Sequence, residues 1–474
     1  MKEDIQALHK EFKEHFIERD EEILGAILAI LANENVLYLG PPGTAKTYLA
    51  QNICKSIEGG TFFYYLLTRF TTPEEIFGPL SIKSLENDEF KRKVDKCLPA
   101  SHIALLDEIF KANSSILNSL LTILNERRFH NGTDVIDTPL LTVFGASNEL
   151  PEEDENLEAL YDRFLFRYDV CYIQDEENVK TLLFNNTSEF SPLVKLNVAQ
   201  IKKLRAHAET VELDEDVKET ILSLKKHLAK KDTVEKEGIQ ISDRRWKKIV
   251  GVLKVAAAAN GNKKVNRSMI LLLQHMLWDV PEQKAALRTL IIERVVNGGI
   301  DTQKLESDIS SLKKIIDSEK EMLSDEKLPV VVYQVLRQGN TTSKTTFQEI
   351  YQIYKANPNA KFSFKDSPYR DSDSFDFSGL LHELKIEHNF SPKEGLNPDK
   401  KILYQKEFHS LDDKYHHQRK NVKDTFDHMK KDLDANIWLT SHDVNEVNHI
   451  QQQSLNKVYN LEEKMNAIRI VFQT

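Results

Sequence analysis

The stretch Leu37-Tyr-Leu-Gly-Pro-Pro-Gly-Thr-Ala-Lys-Thr-Tyr48 decides the fold. A short apolar strand runs into a turn built from Gly40, Pro41, Pro42, Gly43, Thr44 and Ala45, and the turn ends in Lys46-Thr47. An apolar-periodic helix follows from Tyr48 through Leu49, Ile53 and Ile57. A strand, a tight turn and a helix N-terminus in that order aim backbone N–H groups at one point, where the helix dipole favours an anion. Lys46 adds a full positive charge for the β and γ phosphates of a nucleotide, and the Thr47 hydroxyl is a ligand for Mg²⁺. The usual loop reads G-x-x-x-x-G-K-[ST]; here Ala45 stands in place of the glycine before the lysine. A Gly/Pro turn joining any strand to any helix would look similar in isolation, so the assignment depends on what accompanies it.

Three further pieces do. Ile103-Ala-Leu-Leu-Asp107-Glu108 reads as a buried strand ending in two acids. A carboxylate at the C-terminal end of a strand beside a phosphate loop is placed to hold Mg²⁺, and a second can polarise the attacking water. Asp107 is therefore assigned to the metal, with Thr47, and Glu108 to the water. A third strand, Leu140-Leu-Thr-Val-Phe-Gly-Ala-Ser147, delivers Asn148 to the same sheet edge, where its amide can bond the lytic water or the γ-phosphate. Leu160-Tyr-Asp-Arg163-Phe-Leu-Phe-Arg167 then supplies a guanidinium suited to bidentate phosphate contact. A nucleoside triphosphatase using Mg²⁺ is the economical reading, with Gly40 through Tyr48 as its nucleotide-binding residues.

These motifs resemble the MoxR group of AAA+ ATPases. The likeness rests on Gly40–Thr47, the run from Leu106 to Arg127, Gly145-Ala-Ser-Asn-Glu149 and Leu160–Phe164. Ala146-Ser-Asn-Glu-Leu-Pro151 and Ile241-Ser-Asp-Arg-Arg-Trp-Lys-Lys248 are similar to its RavA branch. The resemblance covers roughly the first three hundred residues, and an alanine at position 45 is ordinary within it. It implies a homo-oligomeric ring, a hexamer, in which Arg163 matches the arginine inserted into a neighbouring subunit's site. Arg244, or the adjacent Arg245, matches the lid arginine that reaches the γ-phosphate. It implies a partner carrying a von Willebrand factor A domain and a protein-remodelling chaperone activity. Two inserts are also implied, one between Pro79 and His102 and a hairpin from Phe129 to Pro139 whose turn signal is Asn131-Gly132. In related machines such hairpins contact the substrate; the plain alternative is a surface hairpin.

The balance of 64 basic against 74 acidic residues, a net charge of −10, argues against a general binder of nucleic acid or anionic membrane. Cys54, Cys97 and Cys171 are scattered, without C-x-x-C spacing, which fits a reducing compartment. The longest apolar stretch, Ile23–Ala32, is about half of a membrane span. With no signal-peptide pattern at the start, the expectation is a cytoplasmic protein. His416-His417, His382 and His388 have no cysteine or second-shell partner nearby in sequence and are read as solvated.

Four regions are expected. Residues 1–190 form the α/β AAA+ core and 191–297 an all-helical lid. Amphipathic patterns at Leu305, Ile309, Leu312, Ile316 and Leu323, at Leu411 through Leu433, and at Val444 through Ile468 predict three long helices. A single such helix cannot bury its own stripe, so 298–328 and 405–474 are read as an antiparallel bundle. Residues 329–404 read as a small β-containing insert, with Val330–Leu336, Lys361–Phe364, Asp376–Ser378 and Lys401–Tyr404 extended and Gly339-Asn340 as a turn. The predicted fold is thus an α/β AAA+ P-loop core with a helical lid, followed by a helical bundle interrupted by a small β-containing domain. Two other functions remain open on these grounds: a nucleic-acid-stimulated motor, and an ATP-dependent scaffold or switch. The absence of a basic pore hairpin speaks against the first.

Overall fold

The computed structural model describes residues 1–151, 155–184, 189–229, 239–297, 302–319, 321–322, 327–335, 343–364, 374–383, 394–396 and 398–473. Its central sheet has five strands: β1 (Asn35–Leu39), β2 (Phe62–Leu66), β3 (Ile103–Asp107), β4 (Thr142–Ser147) and β5 (Phe164–Asp169). Their spatial order is β2-β3-β4-β1-β5, and every pair is parallel. Parallel strands need crossovers, which cover both faces with helices; β1 and β4 are accordingly buried at every position. The helix Asp20–Ala32, apolar nearly all round, lies behind β1 and is buried from Glu22 through Leu31.

This topology separates two edges. Loops leaving the C-terminal ends of β1, β3 and β4 converge on one edge, the place where open α/β sheets bind ligands. The opposite edge is tied by Asn35: its Nδ2 donates to the Arg163 carbonyl (3.0 Å) and its Oδ1 accepts from Arg127 (2.9 Å) and the Val143 amide (3.2 Å). Arg127 is half-buried there, and desolvation pushes its pKa down to about 10.

The lid consists of helices Val198–Ala208, Glu215–Leu228, Asp243–Asn260 and Gln283–Asn297, with a 3-10 run Arg267–His275. Ser242 caps the third of these by accepting from the Arg245 amide at 3.2 Å. The predicted hairpin is present as Arg128–Asn131 paired with Asp134–Asp137. Its turn is fastened to the other insert: Asn131 accepts from the Arg92 amide (2.6 Å) and donates back to the Arg92 carbonyl (3.1 Å), and Lys91 pairs with Asp134 (3.0 Å).

The chain falls into two compact units, residues 1–299 with 422–454, and residues 300–421 with 455–474. This corrects the expectation that 405–474 belongs wholly to a separate bundle. In the first unit Trp438 donates to the Ala256 carbonyl (3.0 Å), Asn436 donates to Ser268 (3.0 Å), and Arg288 pairs with Asp443 (2.8 Å), Glu446 and Glu21 (3.0 Å). The second unit contains helix Thr302–Glu319 and the adjoining parts of helices Pro398–Ala435 and Ser441–Gln473. Ion pairs Arg419–Glu462 (2.8 Å), Asp412–Arg469 (2.8 Å) and Glu306–Lys464 (2.7 Å) set their register, with Pro398–Ala435 antiparallel to Ser441–Gln473.

The insert holds an antiparallel sheet in which Lys327–Val335 lies between Ser343–Thr346 and Lys361–Phe364. Val332, Ile350, Phe362 and Leu380 form its core. Two details differ from expectation. Asp376 precedes a helix, Phe377–Glu383, rather than sitting in a strand, and its Oδ1 accepts from the Gly379 amide at 2.8 Å. Lys401–Tyr404 is helical, because the long helix starts at Pro398, whose fixed φ suits a first helical turn. The Gly339-Asn340 turn, Leu323, Leu336 and His388 lie outside the described residues.

Candidate active site

The loop Gly40–Thr47 connects β1 to helix Lys46–Lys55, as its sequence requires. Gly40 has φ +139°, and a Cβ there would come within 2.3 Å of the Val170 carbonyl, so only glycine fits. Gly43 and Ala45 are both left-handed, at φ +82° and +63°. Ala45 thus takes a conformation glycine adopts freely and retains its methyl. Thr44 donates to the Pro41 carbonyl (3.0 Å) and Tyr172 to the Pro42 carbonyl (3.1 Å), which pins the loop from within and from outside. Tyr48, in the first turn of the helix, is half-exposed; its hydroxyl accepts from the Phe190 amide (3.4 Å) and its ring packs 5.4 Å from Phe16.

Lys46 is buried, and its Nζ donates to the carbonyls of Gly40 (2.6 Å) and Pro41 (2.8 Å) and to Asn148 Oδ1 (3.1 Å). Desolvation lowers its pKa, while the nearby Asp107 and Glu108 carboxylates oppose that shift. Thr47 Oγ1 donates to Asp107 Oδ2 at 2.8 Å. A hydroxyl and a carboxylate oxygen side by side are the hard donors Mg²⁺ prefers, so these two residues fit the implied ion. Asn148 Nδ2 donates to Glu108 Oε1 (2.7 Å), and Lys111 Nζ pairs with Glu108 Oε2 (3.1 Å). The structure therefore brings Gly40–Tyr48, Asp107, Glu108 and Asn148 together.

Arg163 and Arg244 are elsewhere. Arg163 precedes β5 at the edge held by Asn35, where it pairs with Asp162 at 3.2 Å. The five residues of β1 separate that edge from the loop by roughly 13 Å of strand. Burial lowers the Arg163 pKa, and the like charge of Arg244 lowers it further. Arg244 thus neighbours Arg163. One turn along the same helix, Lys248 pairs with Glu34 (2.6 Å), at the entrance to β1. The helix that carries Arg244 thus starts beside the other edge of the sheet, away from its own chain's phosphate loop.

Arg245 faces inward. Its Nη1 shares Asp279 Oδ1 (3.0 Å) with Arg167 (2.6 Å), and both guanidiniums are buried. Burial, with the like charge of Arg167, pushes the Arg245 pKa down to about 10. Arg245 is occupied by Asp279 and the Trp278 carbonyl, which Arg167 of the core also binds, and Arg244 is left as the outward arginine of the pair. Sequence reading missed Lys111, although a basic residue three positions after the second acid was a visible signal.

Residues 3–206 match the MoxR domain of the MoxR-vWA-beta-propeller ternary systems, and residues 216–291 match an AAA lid domain. Two uncharacterized proteins of Methanocaldococcus jannaschii are similar. One is 43% identical over 66% of this chain and 82% of its own length, the other 44% identical over 58% and 70%. A structural protein of Acidianus two-tailed virus is 29% identical over 41% of this chain and 35% of its own. Among solved structures, a candidate ATPase from Cytophaga hutchinsonii covers 63% of this chain and 95% of its own, with 19% identity and a TM-score of 0.48.

Proposed function

The chain belongs to the MoxR family of AAA+ proteins, and on that premise we propose that it hydrolyses Mg²⁺-bound ATP and remodels other proteins as a ring of copies. The observation that carries the reading is the convergence of Lys46, Thr47, Asp107, Glu108 and Asn148 through hydrogen bonds of 2.7–3.1 Å. By its motifs at Ala146–Pro151 and Ile241–Lys248 we group it with the RavA branch. A von Willebrand factor A domain partner is the family's usual companion, and the matched domain carries that association in its description.

Each residue has a separable task. Lys46 and the helix N-terminus bind the phosphates. Thr47 and Asp107 would hold Mg²⁺, which when bound neutralises developing phosphate charge. Glu108 takes the proton of the attacking water, and Asn148 orients that water or the γ-phosphate. Arg163 and Arg244, at the edge away from their own loop, would complete the site of an adjoining copy, the reason a ring is favoured over a monomer.

Ile82 (75% exposed) and Phe90 (69% exposed) project from the insert fastened to the hairpin. Apolar side chains there suit protein clients better than a nucleic acid, whose binding depends on phosphate contacts. We further propose that 329–404 is a docking module dispensable for basal turnover. The purified protein should hydrolyse ATP with Mg²⁺, without stimulation by DNA. Absence of hydrolysis would overturn the enzymatic reading; strong DNA stimulation would favour a nucleic-acid motor.

A further inference from the structure

Resting on the reading of Glu108 as the water-activating group, we propose that Lys111 is its positioning residue, an ammonium that fixes the carboxylate for catalysis from one 3-10 turn away. The two are joined by geometry that their sequence spacing alone does not dictate. Glu108 adopts a left-handed backbone, φ +51° and ψ +47°, and caps the 3-10 turn Ile109–Lys111. The Lys111 amide donates to the Glu108 carbonyl at 2.9 Å, which closes the turn. Ile109 is fully buried and anchors the turn in the core. In an extended chain residues i and i+3 lie roughly 10 Å apart; here the ammonium sits 3.1 Å from Glu108 Oε2.

Both carboxylate oxygens are held, Oε1 by Asn148 (2.7 Å) and Oε2 by Lys111 (3.1 Å). The two supports differ in kind. Asn148 is itself tethered to Lys46 (3.1 Å), so a triphosphate competing for Lys46 would disturb it. Among the described residues Lys111 makes no bond to the phosphate loop, so a triphosphate competing for Lys46 would leave its hold on Glu108 in place. A carboxylate oxygen retains lone pairs after one such bond, so the clamp orients the base without blocking it. A base oriented by a third group is a recurring arrangement in catalysis, because misplacing a reacting group by a fraction of its length costs rate rather than affinity. The Lys111 side chain is 46% exposed, and ion pairs of that exposure add little to folding stability. Its effect is therefore expected in turnover.

The test uses the full-length protein with Lys111→Met, Lys111→Arg, and each of these combined with Glu108→Gln. Lys111→Met keeps the stem and removes the charge. Its kcat for ATP should fall about tenfold with KM unchanged, and Lys111→Arg should recover most of the loss. Fluorescent-nucleotide titration should give unchanged ADP affinity. In the Glu108→Gln background Lys111→Met should change neither the residual rate nor, in nucleotide-free protein, the melting temperature beyond the effect of Glu108→Gln itself. Unchanged kcat in Lys111→Met overturns the proposal, as does a rise in KM alone, which would make Lys111 a nucleotide contact. An equal rate loss in both backgrounds overturns it in favour of a structural role. Those failures leave the ATPase reading standing, whereas wild-type protein that neither binds nor turns over ATP overturns both.

Discussion

The two edges of the central sheet follow opposite electrostatic rules. At the C-terminal edge the buried cation Lys46 lies among its own loop's carbonyls and close to the carboxylates of Asp107 and Glu108. At the other edge and in the lid beside it, Arg163, Arg167, Arg244 and Arg245 gather around Asp162 and Asp279. On the proposed function, the first edge would receive a polyphosphate around one buried lysine. The other carries Arg163 and Arg244 away from their own chain's phosphate loop. On that same proposal, two copies set edge to edge would bring those arginines to a neighbour's loop.

The sharpest way to break that comparison is Arg163→Ala. It should bind ATP normally and lose about 10³–10⁵ in turnover, the worth of an arginine supplied by a neighbour in phosphoryl transfer. Mixing with Lys46→Ala subunits should restore activity, because a Lys46-intact site can then receive Arg163 from a Lys46→Ala neighbour. Full activity of Arg163→Ala alone would reduce the residue to its surface pair with Asp162. Inactivity without rescue would keep it essential but remove the shared site.

Within the C-terminal edge, Glu108→Gln and Lys46→Ala should separate chemistry from binding. Glu108→Gln should retain ATP and lose about 10²–10⁴ in rate, whereas Lys46→Ala should lose ATP affinity. Steady-state turnover beside equilibrium nucleotide binding reads both. Turnover near wild type in Glu108→Gln would remove the role given to it.

The C-terminal edge was legible in the sequence and the other edge was not, for a physical reason. A phosphate loop is a local device: strand, turn, lysine and helix are contiguous, and apolar strands ending in Asp107-Glu108 and Asn148 can only deliver those side chains to the same end of a parallel sheet. The position of Arg244 depends instead on where a whole helix docks, which Lys248–Glu34 and Arg245–Asp279 determine across long sequence separations. The return of residues 422–454 to the first unit was hidden likewise. The amphipathic stripe of a helix says that it packs, and Trp438, Asn436 and Arg288 decide against what. Lys401–Tyr404 was misread as extended because a short apolar run has no period of its own, and only Pro398 marks the helix start.

A third kind of charge, behind the sheet, gives a smaller effect. Glu22 on the helix Asp20–Ala32 is buried, and desolvation pushes its pKa up from 4.5 to about 7, only partly offset by Arg19. A carboxyl raised in the folded state contributes no penalty below its unfolded pKa. Stability is lost as pH rises from there through about 7, by about 3 kcal/mol once the group is ionised. Glu22→Gln, which keeps the shape and removes the titration, should therefore gain on wild type between pH 5 and 8. Melting temperatures of both proteins across that range check it; parallel curves would mean that burial does not raise the Glu22 carboxyl above its unfolded pKa.

The smallest effect belongs to the loop itself and tests how far its geometry is fixed by backbone alone. Ala45 is left-handed at φ +63°, caps its helix without a side-chain bond, and accepts from the Leu49 amide at 2.9 Å through its carbonyl. A left-handed conformation costs an L-residue about 1–2 kcal/mol, while glycine costs about 0.5–1 kcal/mol in unfolded-chain entropy. Ala45→Gly should therefore stabilise the protein by no more than about 1 kcal/mol, with ATP affinity and turnover within about twofold of wild type. The methyl is exposed, and its removal leaves the amides and the Lys46 contacts where they are. Thermal melts and nucleotide titration decide the matter. A tenfold change in ATP affinity would mean that the Ala45 methyl touches the nucleotide or that loop strain drives closure onto it. The C-terminal edge would then be tuned by this chain's own side chain at position 45 rather than by the generic turn.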